Sequence, residues 1–281
     1  KINFGHIIIQ LKYPFDMHFK IFLLTIAVSI LACGKKNVVQ TAIIGHAGNG
    51  LTVPHSVYND NTREAIELAV STVGCDGIEL DVQMDKMGQL WLFHDETVER
   101  TSLKVGAIPD FSTSELAEAR YSTLHKEKLV QLKDYVFHWS NGKKVFLNTK
   151  IYHHTISATV DQELYIQKLL ELQSSIPEYK PVMITNNTPF GVRLRNAGFP
   201  VFFDLESSED YALVVNNSEL CSGVVAGYKS LTDAQIKELK SKGVEVALSG
   251  IRSPKAIKAA MELQPDYILV DDIKAAIVEK Y

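Results

Sequence analysis

The chain has 281 residues, 46% apolar and 22% charged, which supports one sizeable hydrophobic core and excludes an intrinsically disordered chain. Its formal net charge of −4 leaves no basic footprint, so nucleic acid is excluded as a partner: neutralising phosphates needs clustered Lys and Arg. No internal repeat or low-complexity tract is visible.

In chain order, Met17 and Lys20 lead into an apolar run from Ile21 to Leu31, followed by Ala32, Cys33 and Gly34. A short positive region, a short apolar core and a small residue at the break describe a secretory signal. The run falls short of the ~20 apolar residues that span a bilayer. Cys33, directly after Ile30-Leu31-Ala32, resembles the cysteine of a bacterial lipobox. That resemblance implies cleavage before Cys33, its lipidation, and an exported lipoprotein anchored to a bacterial membrane. Residues 1–16 read as sequence upstream of the signal and stay outside the fold argument. The expected organisation is a leader and signal segment over 1–32, a polar tether over 33–40 and one domain over 41–281.

The domain alternates short β-rich apolar runs with helical patterns. The expected strands are Ala42–His46, Gly77–Gln83, Gln89–His94, Val145–Lys150, Pro181–Thr185, Val201–Glu206, Ser222–Gly227, Glu245–Ser249 and Tyr267–Asp271. Near-continuous apolar strands separated by helices indicate a parallel sheet, and a (β/α)8 barrel takes about 250 residues. The fold class expected is therefore α/β, a single (β/α)8 TIM barrel. A Rossmann-type open sheet is disfavoured because the turn after the first strand, Gly45-His46-Ala47-Gly48-Asn49-Gly50, lacks dinucleotide spacing and carries a histidine. Helix starts are marked by capping-box patterns at Asn61/Glu64, Ser112/Glu115 and Thr232/Gln235. Ile66, Ala69, Val70 and Val73 follow the first of these at helical spacing. Thr188-Pro189 and Ser253-Pro254 place Pro at the first helical position. Cys75 and Cys221 precede well-separated strands and read as two buried thiols rather than a bridge.

Polar residues then break the barrel pattern. In Gly77–Gln83 the apolar set is Ile78, Leu80 and Val82, which leaves Glu79, Asp81 and Gln83 on the opposite face. Unpaired buried carboxylates are costly, and a hard divalent cation, Ca²⁺ or Mg²⁺, offsets that cost. His46 and His94 each end a predicted strand, where barrel active sites form. Two histidines flanking a carboxylate pair in sequence point to catalysis. Asn148 and Lys150 share a face, and a rim lysine suits a phosphate oxygen.

Taken together, Gly45-His46-Ala47-Gly48, Asn61-Thr62, Ile78-Glu79-Leu80-Asp81-Val82, His94-Asp95, Arg100-Thr101, Leu147-Asn148-Thr149-Lys150 and the last strand through Asp271 resemble the glycerophosphodiester phosphodiesterase family. The resemblance implies hydrolysis of glycerophosphodiesters to sn-glycerol 3-phosphate and an alcohol. It also implies attack by the glycerol hydroxyl through a cyclic phosphate. His46 and His94 would be the acid/base pair, Glu79 and Asp81 the metal ligands, and Lys150 the phosphate contact. Two positions depart from the family. Ala47 stands where an Arg is usual, which removes a bidentate phosphate contact. Asn148 stands where a Glu is usual, so the third metal ligand would be an uncharged amide oxygen. Asp204 and Glu206 are candidates to replace the missing carboxylate, with a solvated rim as the default; His153 and His154 read as loop residues. The competing functions are a weakened barrel that binds a phosphoester or sugar without turnover, and a related phospholipid phosphodiesterase or lyase.

Overall fold

The computed structural model describes residues 41–50, 57–135, 143–151, 160–176 and 180–281. The leader, Cys33, the tether, His153 and His154 lie outside the described residues. Among the described residues the apolar runs form ten strands: β1 (Ala42–Gly45), β2 (Gly77–Met84), β3 (Leu90–Leu92), β4 (Val130–Gln131), β5 (Lys144–Thr149), β6 (Val182–Thr185), β7 (Val201–Leu205), β8 (Gly223–Gly227), β9 (Glu245–Ile251) and β10 (Tyr267–Val270). Helices α1 (Arg63–Ser71), α2 (Thr113–Glu118), α3 (Leu132–Tyr135), α4 (Gln162–Ser175), α5 (Thr188–Asn196), α6 (Ser208–Asn216), α7 (Asp233–Ser241), α8 (Pro254–Glu262) and α9 (Ile273–Lys280) lie between or after them. Strands β1, β2, β5, β6, β7, β8, β9 and β10 pair in parallel in that order, and β10 returns to β1, closing the expected eight-stranded barrel.

One expected barrel strand is something else. The run ending at His94 contributes β3, which pairs antiparallel with the far end of β2, Val82 opposite Leu92. The turn between them is too short for anything but a hairpin, since a parallel crossover needs a dozen or more residues. Asp85, buried in that turn, takes the backbone N–H groups of Met87 and Gln89 at 2.8 Å each. It also takes the Trp91 indole N–H at 2.9 Å and the Thr113 hydroxyl at 2.6 Å. The hairpin is thereby tied to α2, and the chain from β3 to β4 forms an insertion with its own small core around Trp91, Phe93, Ile108 and Tyr121.

Side-chain alternation sorts the barrel strands into two apolar layers. Ile78, Leu80 and Val82 face the helices in the larger core. Ile44, Phe146, Ile184, Phe202, Tyr267 and their neighbours fill the barrel interior, where Phe146 meets Tyr267 edge-on at 5.2 Å between ring centroids. One end is closed by the Tyr267 hydroxyl, which donates to Glu245 at 2.9 Å and accepts from Lys144. A packed interior and a plugged base leave the C-terminal mouth as the place where interior-facing polar residues can meet a ligand.

Helix starts follow the sequence signals with two changes. Ser112 and Thr232 form capping boxes and Ser253 caps a helix with Pro254 in its first turn, as expected. The cap of α1 is Thr62 rather than Asn61, and the cap of α5 is Asn187 rather than Thr188. Helix α1 ends at Ser71, so Val73 lies beyond it, 92% exposed, instead of continuing the apolar stripe. Cys75 and Cys221 are free and buried. No helix of the described residues is long and apolar enough to cross a membrane.

Candidate active site

Glu79 and Asp81 project from β2 into the barrel mouth, each 1% exposed. The β-period that buries Ile78, Leu80 and Val82 outward forces these carboxylates inward. Asp81 is well satisfied. Its Oδ2 accepts from Asn61 Nδ2 at 3.0 Å, its Oδ1 from Asn148 Nδ2 at 3.2 Å, and Lys150 Nζ lies 3.1 Å from Oδ1. Burial would raise its pKa, but Lys150, His94 and Asn61 outweigh burial and keep Asp81 ionised. Glu79 is less compensated: Oε2 takes the Ala47 N–H at 3.0 Å and stands 3.9 Å from His46 Nε2. Burial, then the charge of Asp81, push its carboxyl up to about 7.

His46 follows β1, its N–H bonded to the Val270 carbonyl at 3.0 Å. The turn beyond it is tight. Ala47 has φ +50°, and a Cβ on Gly45 would come within 2.0 Å of the Gly48 carbonyl oxygen, so only glycine fits at 45. Asp271, just past β10, holds His46 Nδ1 at 2.7 Å, while the next residue, Asp272, caps α9. Arg252, largely exposed, stands 3.8 Å from the other oxygen of Asp271. Burial would lower the His46 pKa, but the Asp271 hydrogen bond and the Glu79 and Asp81 charges carry it up to about 9. A raised histidine pKa stabilises the fold fully below its ordinary 6.5 and loses that contribution as pH rises through about 9. In Asp271→Asn the His46 ring should therefore titrate about one pH unit or more lower, and stability should fall less steeply across the same window. NMR titration and melts at several pH values check this; an unmoved His46 titration refutes the role given to Asp271.

His94 reaches the mouth from the opposite direction, on the strand that returns along β2. The Phe93 N–H donates to the Asp81 carbonyl at 3.0 Å. Gln83, fully buried, spends both amide hydrogens on the flanking carbonyls, Phe93 at 2.9 Å and Asp95 at 2.8 Å. The ring is held by Asp95, 2.9 Å from Nδ1; that hydrogen bond raises the His94 pKa and burial opposes it. Arg100 in turn donates to Asp95 and, through both terminal nitrogens, to buried Asp60 at 2.6 and 3.0 Å.

A cavity of about 330 Å³ opens beside His94, lined by Asn148, Lys150, Asn186, Asp204 and Glu206 among others. Lys150 keeps its proton: burial opposes this, and Asp81 and Glu79 prevail. Asp204 is not the solvated rim residue expected. It is half-buried, and burial, then Glu206, push its carboxyl up to about 6. Glu206 is exposed and takes the Asn186 amide at 3.0 Å.

Reading the sequence alone missed three members of this site. Asp271 shows the same strand-end parity as His46 and could have been found by it. Asn61 matched a capping pattern, yet its side chain exchanges two hydrogen bonds with Asp81, one to the carboxylate and one from the Asp81 N–H at 2.9 Å. Gln83 lies on the inward face that alternation predicts, and its role in holding the backbone around His94 shows only in the structure.

A closed parallel barrel with two carboxylate-held histidines, a buried acidic pair and a lysine at its C-terminal mouth defines a barrel of the enzyme type. The chain belongs to the glycerophosphoryl diester phosphodiesterase family, whose model matches residues 46–275. It is 43% identical over 77 residues to a glycerophosphodiester phosphodiesterase of Caldanaerobacter subterraneus subsp. tengcongensis, a stretch covering 27% of this chain and 29% of that relative. The curated relatives are thus matched over less than half of their own length. Among solved structures, a glycerophosphodiester phosphodiesterase from Agrobacterium tumefaciens str. C58 superposes with a TM-score of 0.67 at 20% identity, covering 85% of this chain and 99% of that one. An Oleispira antarctica phosphodiesterase in complex with the product sn-glycerol-3-phosphate gives 0.70 at 17% identity, covering 85% and 96%. At these identities the superpositions establish the fold.

Proposed function

We propose that this protein hydrolyses glycerophosphodiesters to sn-glycerol 3-phosphate and an alcohol, with His46 and His94 as the acid/base pair and a divalent cation at Glu79 and Asp81. The observation that carries the reading is the arrangement at the mouth: two imidazoles, each held at Nδ1 by a carboxylate, with a buried acidic pair on the strand between them. With Nδ1 engaged, Nε2 of each ring is the nitrogen available to substrate. One ring takes the proton of the attacking glycerol hydroxyl and the other protonates the departing alkoxide; water, deprotonated by one ring, then opens the cyclic phosphate while the other ring protonates the released glycerol oxygen. Lys150 faces the phosphate with a fixed positive charge.

The donor set fits a hard cation, Ca²⁺ or Mg²⁺. Two buried carboxylates offer oxygen ligands, and Glu79 in particular is destabilised as an anion by burial and by Asp81. When bound, the cation would neutralise charge developing on the phosphoryl oxygens. The third position is weaker: Asn148 turns its NH2 toward Asp81, so its amide must flip to present oxygen. Among the described residues no group of three or more His, Cys, Asp or Glu side chains is spaced to hold a metal ion.

The test is release of glycerol 3-phosphate from glycerophosphocholine by the purified protein, with and without EDTA. Turnover abolished by EDTA and restored by Ca²⁺ or Mg²⁺ is expected. Binding without turnover would instead support the weakened barrel that Ala47 and Asn148 favour, and a stable cyclic phosphate as final product would identify a lyase. We also infer membrane attachment through Cys33, supported by the signal-like run before it. Cys33→Ser should abolish labelling by a radiolabelled fatty acid; equal membrane retention of variant and wild type would refute the anchor.

A further inference from the structure

We propose that Arg100 is a positioning residue for the reaction, fixing the His94 imidazole through Asp95 and braced against the buried carboxylate of Asp60. The proposal rests on the reading of His94 as an acid/base group.

The guanidinium uses three nitrogens on two carboxylates. Nη1 and Nη2 grip the two oxygens of Asp60 at 2.6 and 3.0 Å, and Nε donates to Asp95 Oδ2. Asp60 is 3% exposed, so it is a rigid anchor, and the Tyr121 hydroxyl donates to its backbone carbonyl at 3.2 Å. The guanidinium carbon lies 5.9 Å from the centroid of the Phe93 ring and 5.4 Å from that of Tyr121. With its plane fixed by the bidentate grip on Asp60, Nε can meet only one oxygen of Asp95. That leaves Asp95 Oδ1 to hold His94 Nδ1 at 2.9 Å.

Pairing buried Asp60 would satisfy a purely structural role. The further reach to Asp95 does not serve burial, because Asp95 is 34% exposed and would otherwise be solvated and free to rotate. Gln83 fixes the backbone on both sides of His94 but does not touch its ring, so ring orientation depends on Asp95, and Asp95 on Arg100. The residue after Asp60 is Asn61, which exchanges hydrogen bonds with Asp81. One dipeptide thus holds Asp81 directly and, through Arg100 and Asp95, the histidine. A lysine cannot substitute, since its point charge lacks the planar fork that bridges two carboxylates.

The experiment measures glycerophosphocholine turnover by Arg100→Lys, Asp95→Asn and the double variant, with melts of each. Arg100→Lys should lower kcat by about 10- to 100-fold, as a misplaced catalytic group does, with KM within a few-fold of wild type. The double variant should be about as slow as the slower single variant, because both changes act on His94 through one contact. Millimolar guanidinium should partly restore Arg100→Ala and leave wild type unchanged; if Arg100→Ala does not fold, the Lys variant and the cycle decide. Unchanged kcat in Arg100→Lys, or losses that multiply in the double variant, would overturn the proposal. His94→Gln is the control: if it retains near-normal turnover, the assignment of His94 itself fails, whereas an inactive His94→Gln beside a fully active Arg100→Lys rejects only the positioning role.

Discussion

Replacing His46 or His94 with alanine should lower kcat by about 10²-fold or more, the loss expected when a positioned acid or base is removed. The two variants should differ in how they do so. His46 is 19% exposed and sits between Asp271 and Glu79, so its removal takes a 2.7 Å hydrogen bond from Asp271, itself 3% exposed. His94 is 32% exposed and its removal frees only one oxygen of Asp95, whose other oxygen stays with Arg100. His46→Ala should therefore lose more stability than His94→Ala, because the hydrogen bond it removes belongs to a buried carboxylate, whereas Asp95 is 34% exposed. His46→Gln, which keeps a hydrogen-bonding group, should recover part of the stability and none of the turnover. Melts and steady-state kinetics on the same preparations check both parts. Near-normal turnover in either alanine variant would sink the acid/base assignment.

The second large effect is expected at Asn148, an amide where the family resemblance implies a Glu beside the proposed cation site. Its amide lies 3.2 Å from Asp81, on the strand paired with β2, where Asp81 stands opposite Asn148. Asn148→Glu would place a third carboxylate against a pair in which Glu79 is already pushed up to about 7. Without a cation, repulsion should win: Lys150 is committed to Asp81 and can offset only part of the added charge, so the melting temperature should fall. With Ca²⁺ or Mg²⁺ the sign reverses, since affinity rises with ligand charge, and binding should tighten on the order of ten-fold or more. The cation-induced rise in melting temperature should exceed that of wild type. A thermal melt across both cation titrations reads this without relying on turnover. No tightening would show that the side chain at 148 does not reach the cation. Repeating the titration with Asp204→Asn then asks whether that half-buried carboxylate contributes instead.

Much of this was legible in the sequence for reasons that are local. Strand alternation alone places Glu79, Asp81 and Gln83 opposite Ile78, Leu80 and Val82, and the barrel confirms that the first set faces inward. Eight of the expected strands recur in the barrel within a residue or two of their expected limits, because apolar runs of that length between capped helices have few other ways to be buried. His46 at a strand end follows from the same pattern.

What the tertiary structure alone decided is which residues at distant points in the chain meet. The strand before His94 looked like another barrel strand because composition does not encode direction; the Asp85 turn makes it a hairpin, so His94 arrives at the mouth from outside the barrel. Asn61 carried a capping signature, but Thr62 takes the cap and releases Asn61 to hold Asp81, twenty residues on. Asp271 meets His46 across 225 positions of sequence, and Arg100 reaches Asp60 across 40. Periodicity reports which face a side chain takes; only closure of the barrel, β10 onto β1, brings its first and last strands together and turns single polar residues into a site.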